Sequence, residues 1–390
     1  MLAAFGDPGH AFPAIALGRA LAGRGHEVWL QTWKRWEEHV ERERMRFCPA
    51  PEYQVFPTRE RPLKPYEAAV LAAEETRPLI REFRPHAVVA DILTIAAGLA
   101  AEAEEVPWAT LVPHVLPTPA PGFPPYSIGA RLPRTRAGRM LWRSMEPIVR
   151  TGEKRGRDEL NETRRRVGLP PVAHLHGGIS RQLALVATFP QLEYPRPWDP
   201  GMRVTGPLLW EQPFGEVDPP PGDDPLVLVA PSTSQDPGQR MLLAALEGLA
   251  GEPVRVLATT NRRPPPRPVD VPGNARLVDW LSYARTMPMC DAVVCHAGHG
   301  TVARALACGA PVVACPAAGD MAENASRVAW AGVGVSLPRR FVTPRAIRLA
   351  MRRVLGEESY SRRARGLADW AEGRDGGETA ADALERFAGR

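Results

Sequence analysis

A glycine-rich turn lies between an apolar run and a helix-like pattern in residues 295–305, which read CHAGHGTVARA. The run 291–295 suits a strand covered on both faces, and the apolar periodicity of 302–308 predicts a helix. Glycines let the backbone approach an anion, and a helix start offers unpaired N–H groups with about half a positive charge. His296 and Thr301 add side-chain donors. The turn therefore predicts a phosphate site, and an ordinary tight connection is the alternative.

A histidine and an aspartate follow two predicted strands in the first half of the chain. His10 lies in the turn after strand 2–5, directly before a helical pattern, and Asp91 ends strand 86–91. The carboxyl ends of parallel strands share one sheet edge, so these side chains are able to meet. A neutral imidazole takes a proton near pH 7, and a carboxylate orients it. The pair predicts proton abstraction, with turn and helix capping as the alternative, and no GxSxG nucleophile signature is present.

Polar and aromatic side chains also follow predicted strands in the second half of the chain. Ser232 and Thr233 bring hydroxyl groups that can join the phosphate site. Trp280 stands where an indole can stack on a planar base, or pack in a core. Asp320 and Asn324 suit the hydroxyl groups of a sugar, and helix capping is again the alternative.

Strand-like and helix-like stretches alternate along the chain, which indicates right-handed βαβ units on parallel sheets. The proline-rich segment 211–225, EQPFGEVDPPPGDDP, cannot hold regular structure and is predicted to be a linker. The chain has 390 residues, whereas single cores stop growing at roughly 250 to 300. We therefore predict an α/β protein with two doubly wound, Rossmann-like parallel-sheet domains, at 1–210 and 226–358, that face each other across a cleft.

The net charge of +5 suits an anionic ligand, and between Arg131 and Arg166 twelve basic residues accompany five acidic ones. This stretch predicts either a solvated helical face or a patch that meets an acidic membrane surface or partner. No nucleic-acid recognition motif is present. Five cysteines without CxxC spacing indicate buried free thiols rather than disulfides or zinc.

No run of about 18 apolar residues is present that would span a bilayer. The first residues, MLAAFGDPGH, lead directly into a predicted strand and lack the pattern of a signal peptide. We therefore expect a cytoplasmic protein.

Six segments form an ordered series: GDPGHAFPAIALGRALAGRGHEV at 6–28, VVAD ending at Asp91, and NARLVDW, DAVVCHAGHGT, ALACGAPVVACP and DMAENASRV within 274–334. This series resembles the inverting, nucleotide-sugar-dependent glycosyltransferases of the GT-B fold. That family includes bacterial macrolide and enediyne glycosyltransferases and plant UDP-glycosyltransferases. The resemblance spans nearly the whole chain and implies that the tail, 359–390, crosses back to the first domain.

The resemblance implies a role for each candidate residue. His10 would deprotonate an acceptor hydroxyl as general base, with Asp91 as its orienting partner. The acceptor would lie against His114, Phe123 and Tyr126. A UDP- or dTDP-linked sugar would be the co-substrate, with no metal and no further cofactor required. The residues that would hold this donor follow strands of the second domain: Ser232, Thr233, Trp280, His296, Gly298, Gly300, Thr301, Asp320 and Asn324.

Two positions depart from the pattern of the family. Met321 stands where the family commonly has glutamine, and Ser282 and Tyr283 replace the usual Pro-Gln. A thioether donates no hydrogen bond, which favours a dTDP-linked deoxysugar over glucose. The predicted reaction is inverting transfer of a sugar to a hydroxyl of a hydrophobic small molecule. Transfer to a lipid acceptor at the membrane surface and nucleotide-sugar epimerisation are the alternatives.

Overall fold

The computed structural model describes residues 1–50, 65–176, 178–233, 235–266 and 268–389. Two parallel sheets organise these residues, with helices packed on both faces of each sheet. The predicted α/β class with two doubly wound sheets is therefore confirmed.

The first sheet has the strand order β3-β2-β1-β4-β5-β6-β7 in the described part of the chain, and neighbouring strands are parallel. Its strands are β1 (Leu2–Ala3), β2 (Trp29–Thr32), β3 (Arg46–Pro49), β4 (Val88–Asp91), β5 (Trp108–Val112), β6 (Ala184–Val186) and β7 (Met202–Val204). Its helices are α1 (Pro8–Gly23), α2 (Glu37–Arg42), α3 (Pro65–Phe83), α4 (Ile95–Ala103), α5 (Arg136–Ser144) and α6 (Glu146–Arg166).

The second sheet has the order β10-β9-β8-β11-β12-β13 and is likewise parallel. Its strands are β8 (Leu226–Ala230), β9 (Arg255–Thr259), β10 (Ala275–Val278), β11 (Ala292–Cys295), β12 (Val312–Ala314) and β13 (Gly334–Ser336). The remaining helices are α7 (Arg240–Leu249), α8 (Tyr283–Thr286), α9 (His299–Ala307), α10 (Met321–Ala331), α11 (Pro344–Gly356), α12 (Glu358–Ala371) and α13 (Gly376–Ala388).

The central strands consist of apolar residues, apart from Asp91 at the end of β4, because both faces of each sheet are covered. All residues of β4, β8 and β11 are buried, as expected for strands in the middle of a doubly wound sheet. In each sheet the strand order reverses beside one central pair, β1 with β4 and β8 with β11. A crevice opens outside the carboxyl ends of strands at such a point. The turns after these four strands are therefore the places to look for a site.

The tail of the chain returns to the first domain. Helix α12 packs Ala364 and Leu367 into the core of the second domain. Helix α13 packs Ala380, Ala381 and Leu384 into the core around α1. At the end of α1, Arg24 forms ion pairs of 2.6 Å with carboxylates of α13. This helix therefore ties the second domain to the first at the side of the molecule where α1 ends.

The Arg-rich stretch forms α5 and α6, and part of its positive charge is paired with a carboxylate of the first domain. Arg164 is buried, and its guanidinium donates two hydrogen bonds to Glu102, at 2.8 and 2.6 Å. This arginine therefore stabilises the fold and does not belong to a surface patch.

The prediction of buried free thiols is confirmed for all the cysteines but Cys308. The five cysteines are free thiols, of which Cys308 is half-buried and the others are buried. Within the described ranges no helix is long and apolar enough to cross a membrane.

Candidate active site

The imidazole of His10 is held by the first turn of α1. Asp7 precedes this helix in an extended conformation, and Pro8 suits the first helical position because it lacks an N–H group. Nδ1 of His10 lies 2.8 Å from Oδ1 of Asp91, while Oδ2 of Asp91 accepts a hydrogen bond from the Phe5 amide at 3.2 Å. Since the carboxylate accepts, Nδ1 carries the proton and Nε2 is left to accept one. The structure thus brings together the pair that the sequence predicts.

The electrostatic surroundings of His10 strengthen it as a base. Burial is the largest influence and lowers its pKa, but the charge and hydrogen bond of Asp91, with smaller contributions from Asp320 and Asp7, raise the pKa above 6.5 overall. Asp320 belongs to the second domain, so its charge acts on the imidazole across the cleft. The His10 side chain is 17% exposed and that of Asp91 is 0% exposed. The base is therefore accessible while its partner is shielded from water.

Two of the predicted acceptor residues lie beside the base, in the loop of residues 113–133 that follows β5 and is called the acceptor loop below. The His114 ring centre is 6.3 Å from that of His10, and the two rings are nearly perpendicular. Nδ1 of His114 donates to the Val115 carbonyl at 2.8 Å, and the Tyr126 hydroxyl lies 3.4 Å from the same atom. Burial lowers the pKa of His114 and raises that of Tyr126. Both side chains are therefore neutral near pH 7.

The third predicted acceptor residue, Phe123, packs against the segment that follows β6. Its ring meets Tyr194 edge to face at 5.5 Å, and the Arg196 guanidinium lies 5.3 Å from its centre. The half-buried ring thus supports the acceptor loop, and its contact with an acceptor stays a prediction.

The turn between β11 and α9 has the geometry of an anion site. Gly298 caps the helix in an extended conformation, and no side chain caps its first N–H groups. A Cβ at Gly298 would lie 2.3 Å from Nε2 of His296, so any other residue there would force the imidazole to shift. A Cβ at Gly300 would meet no atom within 4 Å, and Thr301 lies half-buried in the same first turn. The helix start therefore offers unpaired N–H groups to an anion.

His296 is neutral in this arrangement. Burial is the largest influence and lowers its pKa, against smaller raising effects of the Ala230 carbonyl and Asp320. Nδ1 of His296 donates to the Ala230 carbonyl at 3.2 Å, so Nε2 holds a lone pair beside Gly298. The predicted donor role of His296 therefore needs a second proton on the ring or a change of tautomer when a phosphate binds.

The second phosphate-side loop follows β8. Ser232 and His296 line one small cavity, together with Arg240 and Arg339. Ser232 is buried and accepts a hydrogen bond from a backbone amide three residues on, while Thr233 is exposed. The two arginines add positive charge near the turn, beside the carboxylate of Asp236 in the same cavity, and they are absent from the sequence prediction. Arg240 begins the helix that follows a central strand, which is the signal that would have indicated it.

The predicted sugar-binding residues lie at the start of α10. Asp320 precedes this helix, and its side chain makes no capping hydrogen bond. Asn324 is 2% exposed, and its amide group donates to the Ala297 carbonyl at 3.0 Å. In this structure Asn324 therefore stabilises the turn between β11 and α9, called the donor turn below. Its contact with a sugar stays a prediction. Met321 packs half-buried against the core of the second domain.

Trp280 follows β10 and is half-buried. The Arg262 guanidinium lies 4.5 Å from the centre of its ring, in the range of a cation–π contact. One face of the indole is therefore covered in this structure, and stacking on a nucleotide base requires the other face or displacement of Arg262.

A histidine that the sequence analysis assigns no role also lies in the cleft. Nε2 of His299, the first residue of α9, donates to the Ala187 carbonyl of the first domain at 3.1 Å. Burial is the main reason why its pKa falls to about 4. His299 therefore joins the donor helix to the first domain as a neutral side chain. The segment CHAGHGT contains a second histidine three residues after His296, and this is the signal that would have indicated His299.

The cleft thus has a proton acceptor, His10, on one side and the anion-binding start of α9 on the other. Such a site suits transfer of a group from a phosphate leaving group to a hydroxyl. Within the described parts of the chain, no group of three or more histidines, cysteines or carboxylates is arranged to hold a metal ion.

Comparison with known proteins identifies both halves of the chain. The glycosyltransferase family 28 N-terminal domain matches residues 1–110, and the erythromycin biosynthesis protein CIII-like C-terminal domain matches residues 240–382. The 4′-demethylrebeccamycin synthase of Lentzea aerocolonigenes is 29% identical over 97% of this chain and 96% of its own length.

Solved structures share the fold over the whole length. The glycotransferase of kitacinnamycin has a TM-score of 0.79 and 20% identity, covering 99% of this chain and 98% of its own. The spinosyn rhamnosyltransferase SpnG, complexed with thymidine diphosphate, has a TM-score of 0.70 and 18% identity, covering 98% and 99%. With matching domains at both ends and a relative along its full length, the chain belongs to the GT-B glycosyltransferases that include the natural-product enzymes.

Proposed function

We propose that this protein transfers a sugar from a nucleoside diphosphate sugar to a hydroxyl of a hydrophobic small molecule, with inversion at the anomeric carbon. The observation that carries the proposal is the His10 and Asp91 pair, whose Nδ1 and Oδ1 atoms lie 2.8 Å apart. Its accessible nitrogen stands within the electrostatic reach of Asp320 of the donor domain. A single base that faces a donor site supports one direct displacement rather than two.

In the proposed reaction, Nε2 of His10 takes the proton of the acceptor hydroxyl. The oxygen attacks the anomeric carbon from the face opposite the diphosphate, so one C–O bond forms as the bond to phosphate breaks. Asp91 stabilises the imidazolium that results, because its carboxylate already accepts from Nδ1. Such general-base assistance is typically worth about 10²–10⁴ in rate.

The departing diphosphate gains negative charge, and the donor side offers positive potential to meet it. The N-terminus of α9 carries unpaired N–H groups, and Arg240 and Arg339 line the cavity beside His296. Fixed dipoles aimed at developing charge stabilise a transition state without reorganising. We therefore expect transfer without added divalent metal, and turnover in EDTA equal to that in Mg²⁺ supports this expectation. Loss of turnover in EDTA overturns it.

The donor is proposed to be dTDP-linked, with UDP as the alternative. Met321 offers no hydrogen bond to a sugar, and a structure with the same fold was solved with thymidine diphosphate. The acceptor is proposed to be largely apolar. Neutral His114 and Tyr126 stand beside the base. A cavity of about 530 Å³ at the acceptor loop and α10 has the size of a small-molecule site, and Leu132, Pro133 and Trp330 line it together with the charged Arg131 and Arg134.

The proposal is tested by incubating the protein with UDP-glucose, dTDP-glucose or dTDP-rhamnose and a panel of phenols and macrolactones. We expect nucleoside diphosphate release with a glycosylated product, whose anomeric configuration, read by NMR, is opposite to that of the donor. His10→Ala should lose most turnover and keep nucleotide affinity. A product of retained configuration overturns inversion, and full turnover in the variant overturns the base. Absence of transfer and of nucleotide binding throughout overturns the function.

One observation favours a lipid acceptor as a second candidate. Three apolar side chains on α5 and α6, Met140, Leu141 and Ile148, are each at least 65% exposed among arginines. Exposed apolar groups with basic neighbours suit the surface of an anionic bilayer. Co-sedimentation with phosphatidylserine vesicles, abolished by salt and by Leu141→Glu, is expected if the acceptor is a lipid. Equal sedimentation of protein and variant, or none, rejects this candidate.

A further inference from the structure

A buried group of charged side chains joins the two domains directly behind the cleft. Arg327 of α10 is 2% exposed, and its Nε donates to Glu323 of the same helix at 2.7 Å. Its Nη1 reaches the first domain, where it donates to the Leu192 carbonyl at 3.1 Å and lies 3.3 Å from Oε2 of Glu193. The guanidinium also lies 3.4 Å from the ring centre of Tyr194. One arginine thus binds both domains.

The first-domain partners of Arg327 also hold the acceptor loop. Oε1 of Glu193 accepts from the Leu116 amide at 2.7 Å, and the Tyr194 ring supports Phe123. Two residues on, Arg196 donates to the carbonyls of Thr118 and Pro119. The segment 192–196 therefore fastens the acceptor loop, which carries His114 and Tyr126, to the helix that contains Arg327.

The other end of α10 belongs to the donor site. Asp320 precedes the helix, and Asn324, one residue beyond Glu323, donates to the Ala297 carbonyl of the anion-binding turn. A shift of α10 therefore moves the turn between β11 and α9. Through the contacts of Arg327, the same shift also moves the acceptor loop. Burying ions is costly, and apolar residues of similar volume often stabilise a protein as well. A role in fixing one relative arrangement explains why charges occupy this position.

We propose that Arg327 is a positioning residue that, through Glu193, holds the acceptor loop in a fixed position relative to α10 and the donor site at its start. The proposal rests on the proposed transferase function. A guanidinium forks toward several oxygen atoms at once, whereas the ammonium of lysine is a point charge. Lysine at this position keeps the charge but cannot hold Glu323 and the Leu192 carbonyl together. Loss of this fixed position should favour attack by water over attack by a bound acceptor, because water needs no positioned loop.

The chain offers a matched control in Arg164. This arginine is equally buried at 2% exposed, and it donates to Glu102 and to the Pro170 carbonyl within the first domain. Arg164→Lys replaces the same fork with the same ammonium at a buried arginine, although its partner Glu102 is 34% exposed. It should lower stability while leaving the cleft intact. Arg327→Lys is therefore compared with Arg164→Lys throughout.

The first measurement is deuterium exchange of the peptides that cover residues 113–133. Arg327→Lys should raise exchange there, since the Leu116 amide is held by Glu193, whose forked guanidinium partner is replaced by a single ammonium, and Arg164→Lys should not. Glu193→Gln, which keeps an oxygen for the Leu116 amide, should raise it less. This readout needs no substrate, so it stands even if the proposed function fails. Equal exchange in Arg327→Lys and wild type overturns the proposal.

The second measurement is the ratio of sugar transfer to sugar hydrolysis, with dTDP-glucose as donor and 4-methylumbelliferone as acceptor. In hydrolysis water replaces the acceptor, so the products are free sugar, dTDP and a proton. Arg327→Lys should lower this ratio about fivefold or more, as expected for loss of a coupling between contacting groups. Arg164→Lys should leave it unchanged. A ratio that stays constant in Arg327→Lys while both rates fall together shows a merely structural role and overturns the proposal.

Discussion

Nδ1 of His10 lies 2.8 Å from Oδ1 of Asp91, although 81 positions separate the two residues in the chain. The second oxygen of Asp91 accepts a hydrogen bond from the amide of Phe5, which lies in the connection between β1 and the helix of His10. The carboxylate therefore has one orientation, and the imidazole has one tautomer. A base held in this way has its lone pair on Nε2 before any acceptor arrives.

Asp91→Asn should abolish most of the turnover while nucleotide binding persists. An amide of the same size cannot stabilise the imidazolium, and its N–H group favours the wrong tautomer of His10. In a serine protease triad the same change lowers the rate by about 10⁴, and we expect a loss of about 10²–10⁴ here. The measurement is the rate of dTDP or UDP release in the presence of acceptor. A loss smaller than tenfold would contradict the orienting role of Asp91.

The rate of transfer should fall as the pH is lowered, with a midpoint above pH 6.5. The neutral form of His10 is the active base. Burial is the largest single influence and lowers its pKa, but the charge and hydrogen bond of Asp91, together with the charges of Asp320 and Asp7, raise the pKa above 6.5 overall. Activity therefore rises with pH through this raised pKa. In Asp91→Asn the midpoint should move to lower pH, since the main raising contributions are gone. A profile of kcat/KM that is flat between pH 5 and 8 would rule out His10 as the titrating base.

Nucleotide binding should take up protons at His296. Nδ1 of this residue donates to the Ala230 carbonyl, and burial keeps the ring neutral with a lone pair on Nε2. A diphosphate beside Gly298 needs a donor there, so binding should protonate Nε2 and affinity should increase as pH falls. Calorimetry in buffers of different ionisation enthalpy measures the uptake.

His296→Gln is the control for that experiment. Glutamine can donate to a phosphate without titrating, so the heat of dTDP binding should no longer depend on the buffer. If the wild-type protein shows the same heat in every buffer, the diphosphate binds without proton uptake, and the ring changes tautomer instead.

The sequence predicts the positions that follow central strands better than the contacts between domains. His10, Asp91 and the turn at Gly298 each occupy a place that strand order alone determines, because loops after central strands of a doubly wound sheet converge. Motif spacing along one chain segment carries that information. The two short strands β6 and β7, of three residues each, are too brief for periodicity to indicate.

The link through Arg327 has no signature in the sequence. Its partners Leu192 and Glu193 are 135 and 134 positions away, and their proximity depends on how the domains pack. The same holds for His299, whose partner Ala187 lies 112 positions away. Helix capping and strand patterning are local, whereas these contacts arise only after both sheets have formed. Residues that contact both domains are thus the part of the site that the structure shows and the sequence does not predict.

Gly300→Ala should raise stability and lower nucleotide affinity in the same variant. Gly300 is the second residue of α9 and is exposed, and a Cβ there would contact no atom of the protein within 4 Å. Alanine in a helix is favoured over glycine by up to about 1 kcal/mol. The added methyl group, however, occupies space beside the N–H groups that a diphosphate should approach. We expect a higher melting temperature without ligand and a weaker dTDP-induced shift.

Gly366→Ala separates the two effects. Gly366 lies inside α12 and is exposed, and a Cβ at this position would likewise meet no atom within 4 Å, but the residue is remote in sequence from every predicted site residue. The control should gain stability in the same way and keep the full dTDP-induced shift. If Gly300→Ala binds dTDP as tightly as the control does, the diphosphate does not lie against the start of α9. The anion site would then have to be sought at the cavity that Arg240 and Arg339 line together with His296.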